Sequence, residues 1–104
     1  MNYSRKQVNL KDIALWINQA LEEETPIIAI CMDEESHEST FEPRYLKKEE
    51  ALQELIKLIN QDEERYSLRF VIDVEKEIQK CLDDGTGLDI DYEKAQKLFP
   101  KLKR

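Results

Sequence analysis

The run Ile27-Ile28-Ala29-Ile30-Cys31-Met32 is uninterrupted by any polar residue and rich in β-branched side chains. A run this short and this apolar reads as a strand buried on both faces, the kind that lies inside a sheet and not along its rim. Thr25-Pro26 just before it also fits a helix N-cap and first helical residue, so a helical reading stays open at this point. A buried strand requires hydrogen-bond partners along its edges and apolar cover on its faces, and the rest of the chain must supply both.

Two amphipathic helices supply cover. Ile13, Trp16, Ile17, Ala20 and Leu21 recur at helical spacing, with Asn9 as N-cap and Asp12 placed for a capping box; they predict a helix over Leu10 to Glu23. Leu52, Leu55, Ile56 and Ile59 form a second stripe on a background of Lys, Glu and Gln, predicting a helix over Lys47 to Asn60. Partner strands are harder to find. Leu68, Phe70 and Ile72 alternate with Arg69 and Asp73, which makes 66 to 72 the best candidate, with Thr40 to Tyr45 a weaker one. The same region also fits a helix through Leu68, Val71, Ile72, Ile78 and Leu82.

The two strand assignments stand or fall together. If both hold, strand, helix and strand make a right-handed parallel βαβ unit inside a small α/β domain, with helices packed on two or three strands. If both fail, the chain is an all-α helical bundle. Glu75 to Leu82 is expected to be helical and to stop at Gly85, the first glycine of the chain, in the left-handed cap conformation. A last short helix is expected after Asp91 as N-cap, with Ala95, Leu98 and Phe99 on its apolar side and Pro100 as terminator. The near absence of glycine argues against an all-β fold.

A chain of 104 residues with no linker-like segment is expected to form one domain. Its core is small, which leaves room for a partner or a second copy to cover apolar surface. No segment approaches the roughly 20 apolar residues that cross a bilayer, and the first eleven residues lack a signal-peptide pattern. Cys31 and Cys81 sit in apolar patterns without a CxxC, as reduced buried thiols do. The expectation is a soluble cytoplasmic protein without membrane contact.

Charge is the most informative remaining feature. The net charge is −7, and from Glu22 to Pro43 there are eight acidic residues and no Lys or Arg. Asp83, Asp84, Asp89, Asp91 and Glu93 form a second acidic block, followed by the basic end Lys94, Lys97, Lys101, Lys103 and Arg104. Solvated surface charge that keeps a small protein dispersed accounts for these blocks. An acidic face steered toward a basic protein accounts for them too. On that second reading Asp33, Glu34, Glu35, Glu38 and Glu42, with Phe41 and Tyr45 as aromatic anchors, are the expected partner-binding residues, and Tyr66 is a further anchor. Trp16 lies on the stripe of the first helix and is expected in the core. The basic end is more consistent with helix-dipole pairing than with nucleic acid.

No motif assigns a reaction. His37, the only histidine, follows Cys31, Asp33, Glu34 and Glu35, yet the spacing matches no zinc pattern, and Ser36-His37-Glu38 are chain neighbours without the converging geometry of a triad. The segment from Asp83 to Glu93 has the composition of a calcium loop, but placing either glycine at the sixth position puts Lys80 or Leu82 where the first acidic ligand belongs. No phosphate-binding glycine loop is present. The ending from Ile78 to Leu102 looks like the C-terminal half of small bacterial antitoxins, but it carries no invariant chemistry and assigns no family. The sequence therefore predicts a non-catalytic acidic protein-binding module, an inhibitor, immunity or antitoxin-like protein, with no cofactor. The competing class is a small enzyme or metal-binding domain that uses carboxylates with His37.

Overall fold

The computed structural model describes residues 8–35, 40–61, 65–85 and 89–103. In chain order these form helix α1 (Leu10–Glu22), strands β1 (Ile27–Asp33) and β2 (Phe41–Leu46), helix α2 (Glu49–Gln61), strand β3 (Tyr66–Asp73), and helices α3 (Val74–Asp84) and α4 (Tyr92–Leu98). The sheet has three strands in the order β2-β1-β3, so the apolar run occupies the centre. Residues 28 to 32 are all buried, as a strand covered on both faces requires. The small α/β domain is the observed fold class.

The strand directions differ from expectation. Both neighbours of β1 are antiparallel to it: Ile28 stands opposite Tyr45 of β2 and Ile72 of β3. The parallel βαβ unit expected from β1, helix and β3 is thereby corrected. The cause is the weaker strand candidate, which is a real strand: β2 reverses the chain before α2 begins. Helix α2 then carries the chain past β1 to β3, which runs in the direction of β2. A crossover unit does exist, but its strands are β2 and β3, with β1 inserted between them as in a split βαβ arrangement. Pro43 lies within β2, and an edge strand tolerates proline because one side of its ladder is unpaired.

The dual periodicity of the 66 to 82 region has a physical origin. Alternation ends at Asp73, which closes β3 and also caps α3, its side chain accepting from the Lys76 N–H at 3.2 Å. Strand and helix abut without a loop, so both patterns are genuine and consecutive. Asn9 caps α1 by accepting from the Lys11 N–H, and Asp91 caps α4 by accepting from the Lys94 N–H. Gly85 ends α3 at φ +62°, the left-handed conformation in which a β-carbon is strained.

The two faces of the sheet are unequal. Ile28, Ile30, Phe70 and Ile72 point to one side and join Ile13, Ile17, Ala20 and Leu21 of α1, Val74, Ile78 and Cys81 of α3, and Ile90 and Ala95 beside and within α4. Trp16 packs there as expected, its ring centroid 6.5 Å from that of Phe70. On the other side, among the described residues, Ala29 and Cys31 are covered by α2, in which no described residue is buried. The main core is therefore one-sided, and α2 is a lightly seated cover.

Urea unfolding is expected to report this inequality. Ile17→Ala, at a fully buried position, should cost about 2 to 5 kcal/mol, whereas half-buried Leu52→Ala on α2 should cost only about 1 kcal/mol. Equal losses would contradict the one-sided core. Cys31 and Cys81 are free, 2% and 5% exposed, and burial pushes the Cys31 thiol up. Ellman's reagent should react with both at least about a hundredfold more slowly in the folded protein than in denaturant.

Candidate functional site

Asp33 ends β1, and Glu34 and Glu35 form the turn beyond it. Their charges are met from β3. Glu34 accepts from Ser67 Oγ at 2.6 Å and from Arg69 at 2.5 Å, and its backbone N–H donates to the Arg65 carbonyl. The Ser67 hydrogen bond, aided by Arg69, holds the Glu34 carboxyl below the usual carboxylate range. Its contribution to stability is present above that range and is lost as pH falls through the lowered value. Arg65 lies 4.0 Å from both Asp33 and Glu35 and covers the Tyr66 ring at 5.1 Å. Exposed pairs of this kind add little stability, but they offset much of the negative potential at this end of the sheet.

The expected partner-binding residues do not all converge. Phe41 and Glu42 open β2 opposite Met32 and Cys31, next to the acidic turn, and Glu42 is bridged to Arg44 at 2.9 Å. Tyr45 stands opposite Ile28 toward the other end, about 13 Å farther along the strand. Phe41 and Tyr45 turn inward against the main core and are half-buried. Burial, then the charge of Glu23, raises the Tyr45 hydroxyl. Glu38 and His37 lie outside the described residues. The sheet end thus gathers Asp33, Glu34, Glu35, Phe41 and Glu42, with three arginines among them.

A second acidic surface forms where α1 meets the start of α4. Leu15, Asn18, Gln19, Glu22, Asp89, Ile90, Asp91 and Lys94 line an open groove of about 390 Å³ there. Asn18 holds it together: its Nδ2 donates to the Asp89 carbonyl at 2.8 Å and its Oδ1 accepts from the Asp91 N–H at 3.0 Å. One side chain thereby fixes the acidic segment to α1 across 73 residues of sequence. Among the described residues Lys94 is the sole cation of the groove lining, and it is bonded to Glu22. That hydrogen bond raises the Lys94 ammonium above its ordinary range, with the fields of Asp91 and Glu24 adding to it. Leu15 is 66% exposed at the rim.

A third surface, on the opposite face of the sheet, is apolar. Cys31, Arg44, Leu55, Leu58, Ile59, Gln61 and Tyr66 line a groove of about 370 Å³ under the C-terminal half of α2. Leu58 is 62% exposed beside it.

Leu15, Asn18 and Leu58 were not singled out by sequence reasoning. The signal for the leucines was present, since each is apolar yet lies off the inward stripe of its helix. Nothing in the sequence marks Asn18, whose partners are distant. Among the described residues no group of three or more His, Cys, Asp or Glu is disposed to hold a metal ion, and no helix is long and apolar enough to cross a membrane. The chain matches no protein-family model, no curated protein and no solved structure at a significant level.

Proposed function

We propose that this chain is a non-catalytic, acidic protein-binding module that docks on a basic partner, in the manner of an inhibitor, immunity or antitoxin-like protein. The observation that supports the reading is the groove between α1 and α4. There an exposed leucine stands among Glu22, Asp89 and Asp91, with Lys94 as the only cation of the lining among the described residues. An apolar anchor ringed by one sign of charge suits a partner that presents the opposite sign around an apolar residue. The Asn18 bridge keeps the acidic backbone in place before binding, which lowers the ordering cost on association.

The end of the sheet is the secondary contact in this reading. Asp33, Glu34, Glu35 and Glu42 already face Arg65, Arg69 and Arg44, so they offer a basic partner less uncompensated potential than the groove does. Phe41 adds apolar area beside them.

Affinity capture from the source cell at low and high salt, with nuclease present, tests the reading. A basic protein retained in near-stoichiometric amount at low salt and released at high salt is expected. Glu22→Lys combined with Asp89→Lys should slow its association roughly tenfold. Asn18→Ala, which leaves the Asp89 carbonyl and Asp91 N–H unbridged, should cost about 1 kcal/mol of stability and weaken capture. Retention of the same partner that ignores both salt and charge reversal would sink the acidic-docking idea.

A further inference from the structure

We propose that α2 is a lid: it lifts from the sheet and unwinds as a unit while the three strands and the other helices stay folded, and its position governs access to the Cys31 thiol.

α2 is attached unlike the other helices. α1, α3 and the α4 region share one core and are cross-linked by side chains: Asn18 to Asp89 and Asp91, Glu22 to Lys94, and Gln79 to Lys103. Among the described residues no side-chain hydrogen bond or ion pair ties α2 to the rest of the molecule, and none of its residues is buried. Space of about 370 Å³ remains between its C-terminal half and the sheet, which forfeits dispersion contacts there. Asn9, Asp73 and Asp91 cap the other three helices, whereas Lys48, which precedes α2, has a side chain with no acceptor to offer. A helix of 13 residues is marginal in water once its support is gone, so leaving the sheet and unwinding occur together.

The lid can open without disturbing the sheet. Leu46 pairs with Ile27 at one end of β1 and Tyr66 with Asp33 at the other, so both ends of the α2 segment stay in the ladders. Those ends lie roughly 20 Å apart along β1, and the stretch from Lys47 to Arg65, once unwound, reaches up to roughly 60 Å. Phe41 and Tyr45 of β2 and Phe70 and Ile72 of β3 keep their seats on the opposite face. What opening bares is Ala29 and Cys31, while Cys81 stays inside the main core. With α2 seated, Cys31 is 2% exposed and Cys81 5%, so the two thiols are equally shut and the lid alone separates them.

Hydrogen exchange and thiol labelling of the full chain, both read by mass spectrometry across a urea series below the unfolding transition, test this. The α2 amides are expected to exchange at least about tenfold faster than those of α1, as a set and with one shallow urea dependence, because opening the lid exposes less surface than unfolding the molecule. Cys31, its rate divided by that of the same thiol in the denatured chain, should label at least about tenfold faster than Cys81 and follow the α2 amides. Ile17→Val, a mild change at a fully buried position of the main core, should raise Cys81 labelling about fivefold and leave Cys31 and α2 unchanged, since the core is intact while the lid is open. Rates and urea dependences that are the same for both thiols and both helices would mean that only the whole molecule opens, and overturn the proposal. So would an Ile17→Val variant that speeds Cys31 as much as Cys81. Cys31 labelling that ignores urea while the α2 amides stay protected, the mark of a reagent entering through the groove, overturns it as well.

Discussion

Burial of β1 on both faces and along both edges is the constraint on which the rest of the structure depends. Ile28, Ala29, Ile30 and Cys31 are each no more than 2% exposed, and no single layer can achieve that. Their alternating side chains demand cover above and below, and their backbone demands ladders left and right. The order of elements follows. α1 precedes the strand and covers one face. The hairpin to β2 satisfies one edge, α2 crosses the other face, and β3 closes the second edge before feeding directly into α3.

Cover is shared unequally because the two faces differ in size. Ile28 and Ile30, with Phe70 and Ile72 beside them, project bulk that three helices enclose. Ala29 and the thiol of Cys31 project little, so α2 rests on a shallow surface and keeps its leucines partly outside. A large moment in the sequence of a helix thus does not guarantee deep burial. The stripe of α1 and that of α2 look alike as patterns. They differ in what the sheet offers them.

This difference marks how far the sequence could be read. Element identities were legible wherever one period ran undisturbed, as in α1, α2 and β1, or where a cap residue fixed a boundary, as at Gly85 and Asp91; the cap at Asp73, which separates β3 from α3, was not read from the sequence. Strand direction was not, because it hinged on β2, whose Glu42, Pro43 and Arg44 hide an edge strand behind loop-like composition. The charged surfaces were legible only as linear blocks. From Glu22 to Pro43 the chain reads as unopposed negative charge, yet folding brings Arg65, just before β3, and Arg69 of β3 against Asp33, Glu34 and Glu35. Antiparallel pairing of β1 with β3 does this, since it sets the end of one strand beside the start of the other.

The same folding acts in the reverse sense at α1 and α4, and the contrast decides where the molecule is negative. Glu22 belongs to the first acidic block, Asp89 and Asp91 to the second, and the groove joins them with, among the described residues, only Lys94 between. Like charges brought together repel, so some interaction must hold the segment in place. The two hydrogen bonds of Asn18 do so through the backbone, while the Asp91 carboxylate caps α4 and that of Glu22 is bonded to Lys94. At the sheet end four acids face three arginines; at the groove Glu22, Asp89 and Asp91 face one cation among the described residues, Lys94, and an amide fixes the backbone between them. An uncharged bridge positions an acidic segment without adding a cation to it, whereas arginine bridges position one by offsetting its charge.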